Sequence, residues 1–120
     1  MDESFVCAML CYGFMLDFDG TAVADASKTF HFVNPCAGRA AEELRPCPTL
    51  IVRAGRDQMP GLNRSIDQFV AKARELNLPV TVVDQPEGSH AFDLMDDTEA
   101  SRNAIRNVLD FVRIQLGATT

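Results

Sequence analysis

Pro48-Thr49-Leu50-Ile51-Val52-Arg53-Ala54-Gly55 is the stretch from which the fold can be read. β-Branched residues fill its centre, a proline opens it and a glycine closes it, which is the composition of a strand. After a turn over Arg56 to Pro60, the residues Leu62, Ile66, Phe69, Val70, Ala73 and Leu76 recur at helical spacing. Arg64, Asp67, Lys72 and Glu75 fill the opposite side, so an amphipathic helix is predicted over residues 61–77. Pro79 stops that helix and opens a further strand, Pro79 to Asp84. The segment from Gln85 to Asp97 reads as a loop containing Pro86, Gly88 and His90. A last helix is expected from near Thr98 to about Leu116, capped by Thr98 or Asp97, with Ile105, Val108, Leu109, Val112 and Leu116 as its apolar stripe. Strand, helix, strand, helix in this order predicts right-handed parallel crossovers. The expected class is therefore α/β: a parallel sheet between flanking helices, in three layers.

Upstream, Phe5 to Cys11 is a continuous apolar run, too short for a typical helix and followed by Tyr12-Gly13. It predicts a strand buried on both faces, as in a parallel sheet. From Phe14 to Arg45 clear periodicity is lost. That segment holds Asp17, Asp19 and Gly20, then Asn34-Pro35, then a short helix candidate from Ala37 to Leu44, and residues 14–45 read as an irregular, lid-like region. The 120 residues are expected to form a single domain, 1–120, with its well-patterned part at 48–116.

Charge narrows the partners. A formal net charge of −6 and a pI near 4.7 argue against nucleic acid and anionic membrane surfaces, which require an excess of Lys and Arg. No apolar run approaches the length of a membrane span, and the Met1-Asp2-Glu3-Ser4 start is acidic where a signal peptide is basic, so a cytoplasmic location is expected. Cys7, Cys11, Cys36 and Cys47 form no C-x-x-C pair and predict no metal site. Among apolar neighbours, Cys7 and Cys11 are expected to be buried free thiols.

In an open α/β sheet, ligands bind beyond the carboxyl ends of the strands. Two reactive side chains are expected there. Asp57 follows the strand that ends at Gly55, and His90 follows the strand that ends at Asp84. Loops from adjacent parallel strands bring a carboxylate and an imidazole together, and a carboxylate on one ring nitrogen orients the other as a base. Ser89, adjacent to His90, is poorly placed to face it. His31, between Phe30 and Phe32, reads as structural. The acidic residues Asp17, Asp19, Asp93, Asp96 and Asp97 lack the order of a calcium loop and read as solvated surface. No Gly-x-Gly-x-x-Gly or Walker loop occurs, so nothing points to a nucleotide.

At these residues the chain resembles the α/β-hydrolases, and among them the dienelactone hydrolases and related small esterases. The resemblance is carried by Gly55-Arg56-Asp57, one residue shorter between Gly and Asp than the commonest form, by Pro60, and by Pro86-Glu87-Gly88-Ser89-His90-Ala91-Phe92. Tyr12-Gly13 closes a segment that looks like the strand after the family's nucleophile helix. The resemblance implies the C-terminal half of that fold, with Asp57 as triad acid, His90 as general base, an ester or lactone as substrate, and no cofactor. The family's nucleophile stands in Gly-x-Ser-x-Gly or its Cys equivalent. Here the glycines are Gly13, Gly20, Gly38, Gly55, Gly61, Gly88 and Gly117; no two are four positions apart, so no such elbow exists. Two readings stand side by side. One is a hydrolase whose nucleophile is supplied otherwise, Cys11 and Cys36 being the internal candidates. The other is an inactive truncated α/β domain that dimerises or binds a small ligand. In either, the Phe5–Cys11 strand would lack its usual neighbour, so a homo-oligomer through that exposed sheet edge is expected.

Overall fold

The computed structural model describes residues 5–13, 22–33 and 46–117. It is an α/β structure. A three-stranded parallel sheet in the order β1-β2-β3 is built from β1 (Ala8–Cys11), β2 (Thr49–Ala54) and β3 (Val80–Gln85). The helices are α1 (Ala22–Phe30), α2 (Leu62–Glu75), the single-turn α3 (Phe92–Met95) and α4 (Glu99–Gln115).

β2 is central, and its sequence shows why. Alternate residues of a strand face opposite sides of a sheet, and both sides of β2 are covered. Ile51 joins Leu62, Ile66, Phe69, Val70 and Ala73 of α2 on one face, with Leu10, Val80 and Val82 alongside. Leu50, Val52 and Ala54 join Phe92, Ala104 and Phe111 on the other, under α4. The exception in this apolar strand is Arg53, which is half-buried and fully used. It donates to both carboxylate oxygens of Asp67 on α2, at 2.9 and 3.1 Å, and to Asp84 on β3 at 3.4 Å. A bidentate guanidinium–carboxylate pair keeps the charge satisfied at the helix–sheet seam.

Four expectations are corrected. First, β1 is an edge strand, not one buried on both faces. It is shorter than the apolar run, and Phe5, Val6 and Met9 are exposed, because among the described residues no strand lies on its outer side. Second, the same absence leaves Cys11 exposed and Cys7 only half-buried; both are free thiols, but neither is buried as expected. Third, within the segment read as irregular, Ala22–Phe30 form α1, which lies against α2 and buries Ala26. The helix candidate at residues 37–44, Cys36, Asp17 and Asp19 lie outside the described residues. Fourth, α4 is rotated relative to its expected stripe: Ser101, Ala104 and Phe111 are buried, Val108 and Val112 partly so, while Ile105, Leu109 and Leu116 are exposed. Its start agrees with expectation, Thr98 Oγ1 accepting from the Ser101 N–H at 3.1 Å as N-cap. Among the described residues no helix is long and apolar enough to cross a membrane.

Candidate active site

The site begins where β2 and β3 end together. The two strands pair Arg53 with Asp84 and Ala54 with Gln85, so their outgoing loops start side by side. Backbone hydrogen bonds then continue the pairing past the sheet: the Gly55 N–H donates to the Gln85 carbonyl and the Arg56 N–H to the Gly88 carbonyl, each at 2.9 Å. Two glycines permit this closeness. A Cβ on Gly55 would stand 2.3 Å from the Pro86 carbonyl oxygen, and one on Gly88 would stand 2.7 Å from the Gln85 side chain and 2.8 Å from the Phe92 ring. Real Cβ atoms do not approach that closely, so both positions require the missing side chain. Arg56 and Glu87 add an ion pair across the same loops; both are largely exposed, and such pairs contribute little.

Asp57 is fixed from two directions. Its N–H donates to the Ala54 carbonyl at 3.1 Å, closing the turn, and its Oδ1 accepts from the Met59 N–H at 2.9 Å. This local ring of bonds is the usual way an aspartate shapes a turn. Its other oxygen, Oδ2, lies 2.6 Å from His90 Nδ1. The carboxylate is almost sealed, 1% exposed, whereas the imidazole is 44% exposed. The structure thus brings together the two residues singled out in the sequence.

His90 is held in place by the turn on its C-terminal side. Phe92, fully buried under α4, is the anchor, its N–H bonded to the Ser89 carbonyl at 3.0 Å. Burying a phenylalanine side chain contributes about 2 kcal/mol. Ser101 of α4 donates to the Phe92 carbonyl at 3.1 Å. Between Phe92 and His90, Ala91 adopts a left-handed backbone, φ 59°, which bends the chain into α3.

Two further residues touch this arrangement and were not singled out as site residues. The Tyr12 ring meets the His90 ring edge-on, centroids 5.0 Å apart, and its hydroxyl donates to Asp93 Oδ1 at 2.9 Å. Asp93 is therefore half-buried and bonded, which corrects its reading as solvated surface; Asp96 and Asp97 are exposed. Partial burial, with the Asp93 hydrogen bond and charge adding to it, pushes the Tyr12 phenol up to about 12. The signal for Asp93 was its place three residues after His90, one turn further along the same loop. Nothing in the sequence ties it to Tyr12, 81 positions away.

Cys11 does not have the surroundings of an activated thiol. It lines an apolar hollow of about 130 Å³ with Val52, Asp93, Ala104, Ile105, Val108 and Leu109. Although the residue as a whole is exposed, partial enclosure of the thiol there pushes it up from the ordinary value and the Asp93 charge adds to this, opposite to what an activated thiolate requires. Among the described residues no group of three or more His, Cys, Asp or Glu side chains is placed to hold a metal ion. Comparison with known protein families, with characterised proteins and with solved structures finds no match to this chain.

Proposed function

We propose that this chain is the base-bearing part of an α/β-hydrolase of the dienelactone-hydrolase type, acting on ester or lactone bonds, with His90 as general base and Asp57 as the residue that orients it. One observation carries the reading: a sealed carboxylate on Nδ1 of an exposed imidazole, on loops leaving two adjacent parallel strands. With Asp57 ionised, Nδ1–H donates to Oδ2 and the lone pair of Nε2 faces outward. Nε2 takes the proton of an attacking O–H or S–H as that atom bonds to the substrate carbonyl carbon, then returns it to the departing oxygen. Asp57 stabilises the imidazolium in between.

Three parallel strands with α2 and α4 on opposite faces suit the C-terminal half of such a fold. The absent nucleophile elbow and the raised Cys11 thiol leave the attack to water, to a second polypeptide or to Cys36, which lies outside the described residues. An activated ester isolates the dyad, because its leaving group departs without protonation and water alone suffices as nucleophile. The test is hydrolysis of a short activated ester by the 120-residue chain beside His90→Ala and Asp57→Asn. Expected is a saturable rate that falls about 100-fold in each variant. Equal, background-level rates in all three would overturn the reading and leave a small-ligand-binding or dimerising module.

A further inference from the structure

Tyr12 occupies an unusual position at the end of β1. Leu10 faces the α2 side of the sheet, and a strand continued straight would place residue 12 on that same side. Instead, Tyr12 belongs to the cluster under α4. Its N–H still bonds to the Val52 carbonyl at 2.8 Å, so the pairing of β1 with β2 reaches it, but its φ of 37° is left-handed and swings the side chain across. A bulky residue in that region is strained, and such strain persists only where surrounding contacts hold it. Both polar and aromatic contacts of Tyr12 fall on the His90 loop: the ring edge on the imidazole and the hydroxyl on Asp93.

We infer that Tyr12 is a positioning residue for His90, clamping the imidazole by its ring edge and tying down the turn beyond it through Asp93. This rests on the general-base reading of His90. Asp57 holds the ring through Nδ1, but one hydrogen bond leaves the ring free to swing about it. A second contact from a different strand removes that freedom. Among the described residues Nε2 then remains as the ring nitrogen open to a reactant.

The test is the ¹⁵N spectrum of the His90 imidazole in the full chain, assigned against a His31→Gln reference because the chain has two histidines. The variants are Tyr12→Phe, Tyr12→Leu, Asp93→Asn and Asp93→Ala. Expected is one Nδ1–H tautomer with a single set of signals in the parent and in Asp93→Asn, which keeps an acceptor for the phenol. Tyr12→Leu and Asp93→Ala should give averaged or doubled imidazole signals, and Tyr12→Phe an intermediate case. Should Tyr12→Leu not fold, Asp93→Ala alone decides, since it leaves Tyr12 in place. Unchanged imidazole signals in folded Tyr12→Leu, or in Asp93→Ala, would overturn the inference. The spectrum reports ring placement whether or not an ester is cleaved, so failure of the clamp and failure of the hydrolase reading are distinguishable. Where hydrolysis is measurable, Tyr12→Leu should lower kcat about tenfold with KM little changed, as expected for a misplaced base.

Discussion

Gly55 and Pro86 touch backbone to backbone: a single added carbon on Gly55 would sit 2.3 Å from the Pro86 carbonyl oxygen. The contact lies two residues before Asp57 and four before His90, at the point where the two loops are bonded together. The distance between Asp57 and His90 is thus set less by the two side chains than by the absence of a third.

Gly55→Ala should therefore separate the loops. We expect a loss of about 2 kcal/mol in urea unfolding, since neither backbone can yield without breaking a loop-to-loop hydrogen bond. The histidine signal should lose its carboxylate partner at the same time. Parent-like stability together with an intact Asp57–His90 bond would show that the close approach is not needed.

The pH dependence of stability should carry the mark of Tyr12. Its phenol ionises near 10.0 in an unfolded chain and about 12 in the folded one, so the folded form holds this proton more tightly. The associated stability is fully present below pH 10 and is lost as pH rises toward 12. The chain has one tyrosine and no tryptophan, so tyrosinate absorbance reports this residue alone. A midpoint near 10 in the folded protein would mean that the phenol is neither shielded nor bonded to Asp93.

Thr98→Ala removes the N-cap of α4, together with a contact to the Ser101 hydroxyl at 3.0 Å. A loss of about 1 kcal/mol is expected in chemical denaturation. Because Ser101 also supports the Phe92 carbonyl, the amides of residues 90–93 should exchange faster with solvent in this variant. A loss of stability with unchanged exchange there would uncouple the cap from the His90 loop.

The side of β1 that no described strand covers should join a second copy of the chain. An edge strand pairing antiparallel with its own twin makes a closed two-fold contact, and Phe5, Val6 and Met9 offer apolar surface beside it. A dimer is expected by light scattering at micromolar concentration, with Met9→Glu shifting it toward monomer. A monomeric parent protein would sink this expectation.

How far the sequence could be read depended on whether a pattern is local. β2, α2, β3 and α4 each show their own period and their own stop signals, such as Pro79 after α2 and Thr98 before α4. Asp57 and His90 were found because each follows a legible strand. The exposure of β1 was not legible, since an apolar run reads the same whether or not a neighbour covers it. Nor was the rotation of α4, where Ile105 and Leu109 are as apolar as the Phe111 that is buried in their stead. α1 is only nine residues long, with alanine at three of its five apolar positions, and the Tyr12–Asp93 bond joins positions that no short-range rule connects.

The loop-to-loop bonds at Gly55 and Arg56 have a hereditary consequence. Asp57 and His90 are carried on one uninterrupted length of chain, from β2 through α3, which also contains the close contacts that set their spacing. Recombination upstream of β2 can replace everything that precedes it and still transmit the dyad whole. Tyr12 lies outside that length. The Asp57–His90 pair and the tyrosine that touches it can therefore be inherited, lost or exchanged independently.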